Sequence, residues 1–238
     1  MDIISLSSGS KGNSYIVRDS GDTLLIEAGL PPKKLKEGLW DYDVDMADID
    51  LCLISHVHQD HYKSAEFLSE RGVEVALPEA ADEQIQRLPR EDRVTYLKSK
   101  GSYAKRFWVV KAVDLEHDGV VNYGYFIMNT KSRDKLFYAT DTMYIKYKPE
   151  SVNYWLVEVN FQDKYLEEAI KEGRMDRDNM RRIKRSHMSL ATAKTFFSKQ
   201  DLSDTREIWL LHLSDRNSNP TEVREEIQKT TGKEVYLA

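Results

Sequence analysis

Six consecutive positions, His56-Val57-His58-Gln59-Asp60-His61, constrain this chain more than any other stretch. They follow the apolar run Leu51-Cys52-Leu53-Ile54 and the single residue Ser55. Three imidazoles and a carboxylate so close together cannot all be core residues, because four polar heads would have to be buried at once. They read as metal ligands, since neutral imidazole and carboxylate suit zinc, manganese or iron. In an extended turn leaving a strand, His56, His58 and Asp60 project to one side and His61 falls beside them. One cation cannot comfortably take all four from so short a loop, so two metals are expected.

The other histidines follow the same pattern. The chain has six, and those outside the motif are His117, His187 and His212. His117, His212 and Asp141 each follow an apolar, strand-like run. A lone histidine at a strand end is ordinarily a surface residue, but several in that context point to a shared site. Expected strands include Asp22–Ile26, Val73–Leu77, Phe107–Val113, Tyr123–Met128, Leu136–Thr140, Tyr154–Asn160, Ile208–Leu211 and Glu234–Leu237. Helices are expected over Pro31–Leu39, Lys63–Arg71, Glu79–Leu88, Lys164–Glu172, Leu190–Ser198 and Pro220–Thr230. Strands outnumber helices and polar residues recur at strand ends. This suits a layered α/β domain with its site along one rim.

At 238 residues, 40% of them hydrophobic and 32% charged, the chain suits a single domain over 1–238 with a sizeable core. No apolar run approaches the ~20 residues that span a membrane, and the N-terminus lacks a secretory pattern. The only cysteine, Cys52, sits in the apolar run before the motif and reads as a small core residue, compatible with a reducing cytoplasm. The net charge of -5 argues against a uniformly basic nucleic-acid coat. Between Arg174 and Arg185, however, there is an excess of four positive charges. A charge run of this kind reads first as a solvated helix face. Its position immediately before His187 turns the reading toward an anionic substrate.

The spacing His-x-His-x-Asp-His after a buried strand resembles the signature of the metallo-β-lactamase superfamily. The resemblance runs from Ser8-Gly9-Ser10-Lys11-Gly12-Asn13, through Leu25-Ile26-Glu27-Ala28-Gly29 and the motif loop, to His117-Asp118, Thr140-Asp141-Thr142 and Leu211-His212-Leu213-Ser214. Tyr123-Gly124-Tyr125 and His187-Met188-Ser189 resemble the small single-domain WalJ-type exonuclease branch; RNase Z is a more distant likeness. The resemblance implies a four-layer αββα sandwich with two mixed sheets and its site at the sheet edge. His56, His58 and His117 would hold one divalent metal, Asp60, His61 and His212 a second, and Asp141 would bridge them. Zinc is the first choice, with manganese or iron as alternatives. Two such cations would share a hydroxide nucleophile, which Asp60 also orients. Asp141 in place of a thiolate ligand disfavours lactam hydrolysis.

His187 resembles the proton-donating histidine of RNase Z-like phosphodiesterases, with Glu158 as its orienting partner. Arg181, Arg182, Lys184, Arg185 and Ser189 would bind phosphate. The expected activity is therefore a dinuclear phosphodiesterase, most specifically a nuclease or exonuclease on single-stranded or end-exposed nucleic acid. Its rivals are a cyclic-nucleotide phosphodiesterase, a lactonase or thioesterase of the same fold, and a metal-sensing module with a degenerate site. No membrane partner is expected, and the oligomeric state is open, a homodimer included. Two departures stand out: Glu27-Ala28-Gly29 replaces the usual Asp-x-Gly, and Ser64 replaces a common glycine.

Overall fold

The computed structural model describes residues 1–79, 88 and 91–238. Among them lie thirteen strands, in two mixed sheets of six and seven, and seven α-helices. The chain divides into two compact units, Met1–Asp114 with Val121–Asp134, and Leu115–Val120 with Lys135–Ala238.

The first unit contains the six-stranded sheet, its strands in chain order: β1 (Asp2–Ser7), β2 (Ser14–Asp19), β3 (Asp22–Ile26), β4 (Ile49–Leu53), β5 (Val75–Pro78) and β6 (Val94–Leu97). The β1–β2 and β2–β3 pairs are antiparallel; the pairs from β3 to β6 are parallel. A two-residue turn, Ser20-Gly21, joins β2 to β3 with both φ angles positive (53° and 84°), the geometry that matches strand twist in a tight hairpin. β4 is buried at every position, Asp50 included, as a parallel strand covered on both faces requires. Its Cys52 belongs to a core cluster with Ile16, Leu25 and Val75, and burial pushes the thiol well above its ordinary pKa. Helix α1 (Pro32–Asp41) adds Leu35 and Leu39 to that cluster, one turn apart on its inner face. After α2 (Gln59–Tyr62), α3 (Ala65–Glu70) adds Ala65 and Leu68. β7 (Ser102–Lys105) pairs antiparallel with β8 (Trp108–His117), and β9 (Val120–Asn129) follows.

The second unit holds β10 (Lys135–Ala139), β11 (Tyr154–Glu158), β12 (Glu207–Leu211) and β13 (Glu234–Leu237), side by side and parallel. Helices α4 (Asp163–Lys171), α5 (Arg177–Ser186) and α6 (Leu190–Phe197) lie between β11 and β12, and α7 (Pro220–Thr231) between β12 and β13. Trp155 anchors this unit. It is fully buried, edge-on to Phe137, Phe196 and Phe197 at 5.7 Å between ring centres, with its indole N–H donated to Thr205 Oγ1. Parallel strands place their carboxyl ends on one rim, which is where open α/β sheets present functional side chains.

The structure differs from the sequence reading in places. The helix expected over Lys63–Arg71 begins at Ala65, and a separate single turn, α2, precedes it. β5 starts two residues later than expected and includes Pro78. β6 and β7 were not expected, because their residues alternate without a clear apolar face. The helix expected over Glu79–Leu88 lies, its two end residues apart, outside the described residues. Among the described residues no helix is long and apolar enough to cross a membrane.

Candidate metal centre and proton donor

In the first unit the motif leaves β4 through Ser55. His58 is extended (φ −66°, ψ 147°) and begins α2, its carbonyl accepting from the Tyr62 N–H at 3.0 Å. Asp60 and His61 therefore stand on a helical turn, not on the extended turn that alternation suggested. Two neighbouring loops hold this turn. The Asn13 N–H donates to the Asp60 carbonyl at 2.7 Å, and the Ala28 N–H donates to the His61 carbonyl at 2.8 Å. Gly29 is packed against the same carbonyl so tightly that a Cβ would lie 1.6 Å from Asp60 O.

The imidazoles are fixed individually. His56 Nδ1 is 2.9 Å from Ser55 Oγ, and its Nε2 is 3.1 Å from His58 Nδ1. His61 Nε2 lies 3.1 Å from Asn13 Nδ2 and 3.5 Å from Asp60 Oδ2. Glu27, fully buried and at φ 64°, accepts the Ser55 N–H and lies 3.5 Å from His61 Nδ1. The longer acid thus reaches a motif imidazole and the backbone entering the loop. Ser64, the second departure, donates its N–H to Ala28 O and its hydroxyl to Leu30 O, a pair of contacts glycine could make only in half.

In the second unit, Asp141 and His212 sit just past the carboxyl ends of β10 and β12, and Glu158 closes β11. Asp141 (φ 49°) and His212 (φ 53°) both adopt left-handed backbone, which costs a non-glycine residue free energy and clusters at functional sites. His117, the last residue of β8, has Nδ1 3.1 Å from the Ser186 carbonyl and Nε2 3.5 Å from Asp141 Oδ2. His212 Nδ1 is 3.0 Å from Asn160 Nδ2, which also donates to the His212 carbonyl at 2.8 Å.

His187 caps the end of α5 and stacks on His212, ring centres 5.4 Å apart. Its Nδ1 is 2.6 Å from Glu158 Oε1, while Glu158 Oε2 accepts the Thr142 and Met188 N–H groups. Burial alone would lower the His187 pKa, but the Glu158 charge and hydrogen bond carry it above the ordinary imidazole value. Burial alone would likewise raise Glu158, but the His187 charge, with hydrogen bonds from His187 and His212, holds it low. Each partner favours the charged form of the other.

The donors fit a divalent cation. Tetrahedral zinc, with metal–nitrogen bonds of about 2.0–2.1 Å, sets its ligand atoms about 3.3–3.4 Å apart. The His56–His58, Asp60–His61 and His117–Asp141 contacts, at 3.1, 3.5 and 3.5 Å, lie close to that separation. Asp141, Glu158, His187 and His212 also present atoms within 4.8 Å of one another. Within that group the 2.6 Å Glu158–His187 contact is too short for two ligands of one ion and has the length of a charge-assisted hydrogen bond.

The model of the β-lactamase superfamily domain matches residues 34–212. The chain belongs to this superfamily. It is 27% identical over 224 residues to the exodeoxyribonuclease WalJ of Streptococcus pneumoniae, covering 90% of this chain and 81% of that one. Among solved structures, the metallo-β-lactamase-fold protein YhfI of Bacillus subtilis superposes with a TM-score of 0.74 at 18% identity, over 99% of this chain and 95% of that one. The short form of human tRNase Z gives 0.64 at 17% identity, over 100% and 96%. The superfamily match takes in segments of both units, and the α/β fold with two mixed sheets is the metallo-β-lactamase fold.

The remaining sequence candidates are on α5 and at the start of α6. Arg181 pairs with Asp178 at 2.9 Å, Arg182 lies 3.8 Å from Asp118, Lys184 reaches Asp163 at 2.6 Å, and Arg185 is exposed. Ser189 caps α6, its hydroxyl accepting the Thr192 N–H. The sequence reading did not single out the residues that fix the imidazoles: Asn13, Ser55, Asn160 and the Ser186 carbonyl. Asn13 lies in the Ser8–Asn13 stretch that carries part of the family resemblance. It supplies both its backbone and its side chain.

Proposed function

We propose that the chain is a dinuclear metal-dependent phosphodiesterase that acts as a nuclease on single-stranded or end-exposed nucleic acid. The pair of His187 with the buried Glu158 carries this reading, because a departing sugar alkoxide needs the proton that a positioned histidine can give, whereas a thiolate leaving group does not. The name of the WalJ relative, an exodeoxyribonuclease, supports DNA as the polymer. His56, His58 and His117 would hold one cation, Asp60, His61 and His212 the other, with Asp141 between them, in one domain over 1–238. Zinc suits these nitrogen and oxygen donors. When bound, the cations supply Lewis acidity and lower the pKa of the attacking water.

Asp60 orients that water. His187 Nε2 gives its proton to the departing sugar oxygen, and Glu158 holds the ring by Nδ1 so that Nε2 carries it. Arg181, Arg182, Lys184 and Arg185 draw the phosphate chain toward the rim, and Ser189 steadies the helix start beside it. The test is hydrolysis of bis-p-nitrophenyl phosphate beside a 5′-phosphorylated single strand, with metal content measured on the same samples. Turnover of both supports a nuclease. Turnover of the small ester alone points to small nucleotides, and silence on both with metal bound moves the chemistry to lactones and thioesters.

A further inference from the structure

A cavity of about 420 Å³ lies in the second unit between the first turns of α4 and α6. Its walls continue the two segments that carry the proton donor and the His212 clamp. Gln162 is two residues beyond Asn160, and Leu190 is three beyond His187. The walls are pinned to each other there: the Leu190 N–H donates to the Phe161 carbonyl at 2.9 Å, and Phe161 bridges to Ser189. The volume falls within the range of about 300–1,000 Å³ common to small-molecule sites.

The lining combines the apolar side chains Leu190 and Ala191 with the charged side chains Asp163, Lys164 and Lys194. The Gln162 side chain is held in place, its amide donating to Glu222 and accepting the Asn219 N–H. Lys164 pairs with Glu222, and Lys194 with Glu226. These are exposed pairs, well screened by solvent, so either ammonium can exchange a carboxylate for a phosphate at little cost. Lys184 of α5 reaches Asp163 on the same rim, which joins the basic helix to the cavity's mouth. A pocket of this kind suits a flat, uncharged ring system carried on an anionic chain.

We propose that this cavity is a nucleoside subsite: it takes a base and sugar of the substrate strand next to the scissile phosphate, with the flanking phosphates at Lys164 and Lys194. The proposal rests on the nuclease reading above and says how that site would measure a strand instead of a small ester.

Ala191 and Thr195 line the cavity and are exposed, so Ala191→Trp and Thr195→Trp fill it from the solvent side. Two measurements on metal-loaded protein separate the subsite from the chemistry. The first is the ratio of kcat/KM for a single-stranded trinucleotide to that for bis-p-nitrophenyl phosphate. The second is the affinity for a phosphorothioate trinucleotide by fluorescence anisotropy. Both are expected to fall about tenfold in each variant, the scale of one lost base contact, with the kinetic loss in KM. An unchanged ratio and unchanged affinity in both variants overturn the subsite. A wild type that binds the phosphorothioate strand, loses affinity in both variants, yet cleaves no strand would keep the subsite and refute the nuclease reading.

Discussion

His187 Nδ1 lies 2.6 Å from Oε1 of Glu158, a carboxylate with no exposure to solvent. A buried carboxylate persists as an anion only when its oxygens are satisfied, and here two backbone N–H groups take the second oxygen while the His187 ring takes the first. Replacing His187 by Ala should leave metal content unchanged and lower kcat on an oligonucleotide by about 10²–10⁴-fold, the usual worth of a positioned acid. The loss should be smaller on bis-p-nitrophenyl phosphate, whose leaving group departs without a proton. Glu158→Gln keeps the shape and removes the charge, so its kcat should fall between wild type and His187→Ala. Equal turnover by wild type and His187→Ala would remove the histidine from the mechanism.

Gly29 carries a different kind of constraint. A methyl there would lie 1.6 Å from the Asp60 carbonyl and 2.7 Å from the Asn13 nitrogen, both backbone atoms. Neither can give way without moving the motif turn. Gly29→Ala should cost about 3 kcal/mol or more, at the upper end of overpacking. Urea unfolding beside wild type reads this directly. A midpoint shift of only a few tenths of a molar would show that the turn relaxes freely.

Asn160→Ala is expected to weaken metal binding. The Asn160 amide fixes both the ring and the carbonyl of His212, whose left-handed backbone has little intrinsic preference for that position. Losing an orienting partner of a ligand commonly costs 10–100-fold in metal affinity, about 1.4–2.8 kcal/mol. Asn160→Ala should therefore surrender metal to a competing chelator at lower concentration, while its unfolding in the metal-free state changes less. Identical chelator curves would assign Asn160 to the fold alone.

The motif and the strand-end residues were legible because they combine two local signals, a short apolar run and a polar residue that ends it. β4 to His56, β10 to Asp141 and β12 to His212 all follow that rule. The helical turn carrying Asp60 and His61 was not legible, because it depends on Asn13 and Ala28 donating to its carbonyls from distant loops. Backbone carbonyls carry no sequence signature. For the same reason nothing in the chain announced that Ser186, far along the sequence, would hold His117. Glu27 appeared only as a departure from a familiar pattern. Its contacts with Ser55 and His61 give that departure a physical content.

The basic run gives the last prediction. Arg181 and Arg185 are exposed on α5, and the Arg181–Asp178 pair lies between two highly exposed side chains one turn apart. Such a pair contributes under about 1 kcal/mol and yields readily to a phosphate. Each phosphate neutralised on a single strand releases condensed counterions, so log affinity falls against log salt with a slope of about 0.7 per contact. Arg181→Ala combined with Arg185→Ala should then flatten that slope by about 1.4 while weakening binding at low salt. Arg182 and Lys184 are tied to Asp118 and Asp163, and the Asp118 contact sits beside His117. Arg182→Ala should therefore affect metal affinity as well as strand affinity, a combination the exposed pair should not produce. A salt slope equal to wild type in the double variant would make α5 a solvated face and leave the phosphates to the metals alone.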